Sequence, residues 1–143
     1  MTILIAEDDE DDFFFTARVL KKATDATLFH VESGGAAIEY LAGQGRYSDR
    51  KKFPFPDMLL LDLKMDDLDG HGVLAWIRET PASRPRKVFV LTGSGELRDR
   101  ERVKASGVAA DYFVKPLTAE HLGSIFHAEE KRSAEGISPD VGA

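Results

Sequence analysis

Four short apolar runs in this sequence each end on a residue equipped for chemistry. Ile3-Leu4-Ile5-Ala6 leads into Glu7-Asp8-Asp9, Met58-Leu59-Leu60-Leu61 into Asp62, Val88-Phe89-Val90-Leu91 into Thr92, and Tyr112-Phe113-Val114 into Lys115-Pro116. If the runs lie side by side, Glu7, Asp8 and Asp62 share one crevice. Three carboxylates there repel one another, and each partly desolvated charge is costly unless a cation sits among them. A hard divalent ion answers that need, and Mg²⁺, which keeps several waters and favours phosphate oxygens, suits so small a set of carboxylates. The Thr92 hydroxyl and the Lys115 ammonium then complete a cradle for a phosphoryl group.

Singly, each of these residues has an ordinary explanation. Acids crowd helix N-termini because the macrodipole favours them there, an Asp can cap a turn, and a threonine or a Lys-Pro pair is common in loops. For Asp9, Glu10, Asp11 and Asp12 the helix-terminus explanation is preferred. For Glu7, Asp8, Asp62, Thr92 and Lys115 their joint placement at strand ends favours a site.

The elements that must position them follow from hydrophobic period. Apolar runs short enough to be strands cover 2–6, 27–31, 57–61, 87–91 and 111–114. Between them, helical spacing predicts amphipathic helices over residues about 11–23, 34–42, 70–79, 95–105 and 118–131, the last opening on Thr118 as N-cap. The fourth helix is the weakest, with Arg and Asp crowding it. Nearly continuous apolar strands joined by crossover helices imply an α/β fold, a doubly wound five-stranded parallel sheet covered on both faces. In such sheets the ligand crevice lies beyond the carboxyl ends of the strands, where strand order reverses. Residues 43–56 are polar, basic and aromatic and end in Pro54-Phe55-Pro56, so they are expected to form an inserted loop.

Composition narrows the functions. The chain has 143 residues, 43% hydrophobic and 31% charged, enough for one domain with a real core. Nineteen Lys and Arg against 25 Asp and Glu leave a net charge of −6, which argues against nucleic acid as a partner. No apolar run approaches the roughly twenty residues that span a bilayer, and no signal peptide is visible. Cytoplasmic localisation is the expectation; the absence of cysteine bears on it neither way.

The motif positions together resemble the receiver domain of two-component response regulators over roughly residues 2–128. The residues that carry the likeness are Glu7-Asp8 after the first strand, Asp62 followed by Asp69-Gly70, Thr92 after the fourth strand and Lys115-Pro116 after the fifth. The resemblance implies a flavodoxin-like strand order 2-1-3-4-5 with five helices and a receiver domain at 1–132; residues 133–143, small and polar, are expected to form a short flexible tail. It implies that Asp62 is phosphorylated by a sensor histidine kinase or a histidine phosphotransfer protein. Glu7, Asp8, Asp62 and the backbone carbonyl of Lys64 would hold Mg²⁺, and Thr92 and Lys115 would bind phosphoryl oxygens. Thr92 and Tyr112 would form the switch, read out on the fourth helix, fifth strand and fifth helix. A homodimer could use that face through Phe113, His121 and Phe126, although core packing explains the same apolar spacing equally well. The basic and aromatic stretch with Arg46, Tyr47, Arg50, Lys51, Lys52 and Phe53 looks like that of single-domain receivers paired with phytochrome-type kinases, although a solvated charged loop explains it equally well.

Two departures from the family pattern stand out. Asp66 occupies the position, four after the acceptor, where many receivers carry proline, so the loop is expected to be more acidic and more mobile. Lys64 sits at the pocket mouth, where it is expected to alter the phosphoryl lifetime. Such a protein would not be an enzyme beyond self-catalysed transfer and autodephosphorylation. Two alternatives are a receiver-like binding module that acts without phosphate and a phosphatase of the haloacid-dehalogenase type. The latter needs a second acid where Lys64 stands.

Overall fold

In the computed structural model, residues 1–126 are described; the end of the expected fifth helix and the expected tail at 133–143 lie outside them. The strands are β1 (Thr2–Ala6), β2 (Thr27–Val31), β3 (Met58–Leu61), β4 (Lys87–Thr92) and β5 (Asp111–Val114). The helices are α1 (Glu10–Ala23), α2 (Gly34–Ala42), α3 (Gly70–Glu79), α4 (Leu97–Ser106) and α5, described over 119–126. The five strands form one parallel sheet in the order β2-β1-β3-β4-β5. Strand order therefore reverses between β1 and β3, and the crevice at their carboxyl ends is where Glu7, Asp8 and Asp62 fall.

The two-residue period of the strands builds two cores. Leu4, Ala6, Leu59, Leu61, Val88 and Val90 face one side, against Ala37 and Leu41 of α2, Val73, Leu74 and Ile77 of α3 and Val103 of α4. Ile3, Ile5, Met58, Leu60, Phe89 and Leu91 face the other, against Leu20 of α1 and Ile125 of α5. The central strands are buried on both faces, which is why they read as unbroken apolar runs. Removing one such side chain, as in Leu60→Ala, would cost about 2–5 kcal/mol.

Caps set the helix starts. The Asp9 carboxylate accepts the Asp12 backbone N–H (2.9 Å), Ser33 that of Ala36 (3.0 Å) and Asp69 that of Gly72 (2.9 Å). Thr118 accepts the His121 N–H (3.2 Å), as expected of an N-cap.

The 43–56 segment forms the expected inserted loop, with Arg46, Lys51 and Lys52 exposed, but part of it packs on the domain. It contains a 3₁₀ turn, Gly45–Tyr47, and Tyr47 is buried against Tyr40 and Phe53, with ring centroids 4.9 and 5.2 Å away. Arg50 is structural. Its guanidinium donates to the carbonyls of Tyr40 (2.8 Å), Leu41 (2.9 Å) and Phe53 (3.2 Å), tying the loop to the end of α2, whose last turn has no basic residue. Of the two roles open to Phe113, a contact between copies or the core, the structure shows the core: it is 7% exposed.

Candidate functional site

At the carboxyl ends of β1 and β3 the chain brings together the residues singled out by sequence. Glu7 is 4% and Asp62 5% exposed, whereas Asp8 is open to solvent. One oxygen from each of Glu7, Asp8 and Asp62 lies within 4.8 Å of the others. Three hard oxygen donors at that separation, two of them buried, fit a small divalent cation. Lys115 reaches into the same space from the end of β5, its Nζ 2.5 Å from Glu7 Oε1 and 2.7 Å from Asp62 Oδ2. The second Asp62 oxygen, Oδ1, accepts the Lys64 backbone N–H at 3.2 Å, while the Lys64 side chain is exposed.

Burial drives the electrostatics. Desolvation pushes the Glu7 carboxyl up to about 7, with the nearby Asp62 charge adding to the shift and Lys115 opposing it. Burial alone would lower the Lys115 ammonium, but hydrogen bonds to Asp12, Asp62 and Glu7 override it and hold the group above its ordinary value. The site is therefore short of positive charge, and the lysine is its sole cation among the described partners.

Sequence reading missed Asp12. Its place in an acidic first turn fits a macrodipole role, yet its Oδ2 lies 2.8 Å from Lys115 Nζ. Nothing local could have signalled a contact across 103 residues of sequence.

Thr92 closes β4 and is fully buried; its hydroxyl oxygen accepts the Ser94 N–H at 3.4 Å. Tyr112, 9% exposed, donates its hydroxyl to the Ser94 carbonyl at 2.5 Å, and the Arg100 guanidinium lies 4.8 Å from its ring centre. The Ser94 side chain continues the chain of bonds, donating to Asp99 Oδ2 at 2.6 Å, and Asp99 Oδ1 lies 3.1 Å from His71 Nε2 on α3. Ser94, Asp99 and His71 were not singled out by sequence; no motif marks them.

The loop from β3 to α3 is wedged between two helices. A methyl group at Gly70 would collide with the Asp62 carbonyl oxygen, and one at Gly34 with that of Leu68, so both positions need glycine for close approach. Asp67, with φ of 60°, accepts the Leu68 N–H and the Gly35 N–H (3.4 Å), fastening the acidic loop to the start of α2. These bonds hold its carboxyl below the usual range, the Leu68 N–H contributing most.

Fold and crevice together place the chain among flavodoxin-like α/β proteins with an acidic cation pocket at the topological switch point. A model of the response regulator receiver domain matches residues 3–127, and the chain belongs to that family. It is 39% identical over 93 residues to response regulator Rcp1 of Synechocystis sp., covering 64% of this chain and 61% of that protein. It is 32% identical over 124 residues to the probable methanogenesis regulatory protein FilR2 of Methanothrix harundinacea, covering 84% and 75%. Among solved structures, the Mn(2+)-bound form of Rcp1 is similar at 32% identity and TM-score 0.72, covering 87% of each chain. The phosphorylated cyanobacterial phytochrome response regulator RcpA is similar at 27% identity and TM-score 0.75, covering 91% of each. The likeness thus extends to receivers of the phytochrome-associated subgroup. Among the described residues no helix is long and apolar enough to cross a membrane.

Proposed function

We propose that the chain is a phosphorylation-dependent switch in which Asp62 accepts a phosphoryl group from a phosphohistidine on a sensor histidine kinase or a histidine phosphotransfer protein. The observation that carries this reading is Asp62 itself, buried at the end of β3 within 2.7 Å of Lys115 and beside Glu7 and Asp8. A carboxylate oxygen of Asp62 attacks phosphorus, the donor's P–N bond breaks, and its electron pair leaves with the imidazole, which takes up a proton. Asp62 becomes an acyl phosphate. Glu7, Asp8, Asp62 and the Lys64 backbone carbonyl would hold Mg²⁺, which when bound would supply charge neutralisation for the transferring oxygens. Lys115 holds one phosphoryl oxygen, and the Thr92 hydroxyl turns from the Ser94 N–H onto another.

That turn frees the Ser94 N–H and disturbs the loop whose carbonyl holds the Tyr112 hydroxyl, so Tyr112 changes rotamer. Readout then passes through α4, β5 and α5 to a partner protein or a second copy, with His121 and Phe126 half-buried on α5. Water later hydrolyses the acyl phosphate, and no other substrate is turned over. Similarity to RcpA, and to response regulator RPA3017 in red light signaling of R. palustris at 30% identity and TM-score 0.75, supports a phytochrome-type kinase as donor.

The test is intact-mass spectrometry of wild type and Asp62→Ala after incubation with a small phosphodonor and Mg²⁺, with and without chelator. A gain of about 80 Da, one HPO₃, in wild type alone and with metal alone is expected for metal-assisted transfer to Asp62. No gain from a small donor or from a panel of kinases, with metal binding intact, would favour a binding module that works without phosphate.

A further inference from the structure

The Lys115 ammonium has three protons to donate and three carboxylates to receive them. Glu7 Oε1 at 2.5 Å, Asp62 Oδ2 at 2.7 Å and Asp12 Oδ2 at 2.8 Å surround it. The three partners are not alike. The Glu7 and Asp62 side chains are buried and belong to the trio that fits a divalent cation, whereas the Asp12 side chain is 47% exposed and stands outside that trio. A divalent ion and the ammonium therefore compete for two of the carboxylates and not for the third.

The geometry points to Asp12 as a positioning residue that keeps the Lys115 ammonium at the mouth of the site when a divalent cation takes over Glu7 and Asp62. This inference rests on the proposed cation site but not on phosphorylation. With the ion bound, Glu7 and Asp62 give up electron density to it and hold the ammonium less strongly. A lysine with no other partner would have to lose charge-assisted bonds or obstruct the ion. Asp12 removes that conflict. It lies on the first turn of α1, where the Asp9 cap grips its backbone N–H at 2.9 Å, so its carboxylate is supplied from a fixed element beside the crevice. The ammonium then remains poised next to Asp62 as the metal enters.

The test is calorimetric titration of Mg²⁺ into the full chain without phosphodonor, using Asp12→Asn and Asp12→Glu, each with native Lys115 and with Lys115→Met. Losing the charge-assisted partner should weaken Mg²⁺ binding about tenfold in Asp12→Asn, because the ammonium then stays on Glu7 and Asp62. Asp12→Glu should restore affinity to within about twofold, since the carboxylate can still reach the ammonium. In the Lys115→Met background the Asp12→Asn effect should shrink to about twofold, the residue of an exposed charge acting at a distance.

Equal weakening in both backgrounds would make Asp12 a distant charge and overturn the inference, as would unchanged affinity in Asp12→Asn. Thermal melts of each variant separate a folding defect from an affinity change, and the exposed Asp12→Glu variant provides a second, conservative probe. The mass measurement on Asp62 is independent. A chain that takes phosphate but shows no coupling between Asp12 and Lys115 loses only this inference. A chain that shows the coupling but takes no phosphate loses only the proposed function.

Discussion

The molecule carries two polar clusters at the same end of the sheet, and they are built on opposite principles. Around Lys115, the carboxylates of Glu7, Asp12 and Asp62 share one ammonium, with Asp8 alongside. Around Ser94, donors and acceptors meet in pairs: the Tyr112 hydroxyl donates to the Ser94 carbonyl, the Ser94 hydroxyl to Asp99, and the other Asp99 oxygen lies against His71. The first cluster has acceptors in excess and gains from a further cation. The second is satisfied within itself and gains by staying as it is. Thr92 stands between them, its hydroxyl engaged with the Ser94 N–H in the self-satisfied state.

This contrast can be broken first at Lys115. Lys115→Met should lower stability by about 2–3 kcal/mol in the presence of chelator, because buried carboxylates lose their counter-charge, and millimolar Mg²⁺ should restore much of it by binding the folded state. Thermal melts with and without metal would show this, and a loss that Mg²⁺ leaves untouched would contradict the account of the first cluster. Ser94→Ala sharpens the other side. It removes the hydroxyl bonded to Asp99 and should cost about 1–2 kcal/mol, the same with and without Mg²⁺.

A smaller effect is expected at Lys64, which lies two residues after Asp62 and has an exposed side chain. Lys64→Ala should change the acyl-phosphate half-life by about two- to threefold, the size expected for an exposed charge near the reacting oxygens. The decay of the phosphorylated mass with time measures it, and an unchanged half-life would refute a role for Lys64 at the mouth.

The smallest effect is a pH dependence. Hydrogen bonds from Ser94 and then His71 hold the Asp99 carboxyl below its ordinary value of 3.8. A lowered carboxyl contributes stability that is present above the ordinary value and lost as pH falls through the folded one. Asp99→Asn should therefore be less stable than wild type at pH 6, and the difference should narrow as acid protonates the wild-type carboxyl. A difference that persists unchanged at pH 2 would place the effect in packing instead.

The sheet, its order of elements and the crevice were legible because parallel strands buried on both faces leave an unmistakable apolar run, and a charged residue just beyond such a run must sit at the sheet's carboxyl edge. Glu7, Asp8, Asp62 and Lys115 could be placed that way and meet as expected. Asp12 could not, since its partner is distant in sequence and its own neighbourhood fits an acidic helix start. Arg50 was obscured similarly: it read as part of a basic loop, while the one available clue was an omission, the lack of any basic residue in the last turn of α2. The Ser94–Asp99–His71 bonds join a loop to two helices, and contacts of that kind leave no period in the sequence. The readings that failed concern side chains whose partners tertiary structure alone supplies.

Gly34 and Gly70 give the loop between β3 and α3 almost no clearance: one helix start presses on the Leu68 carbonyl and another on that of Asp62. The loop works as a shim whose thickness is set by two hydrogen atoms. Substituting either glycine would shift the seat of the acceptor without touching any charged group, so the tolerances of the site extend to residues that carry no chemistry of their own.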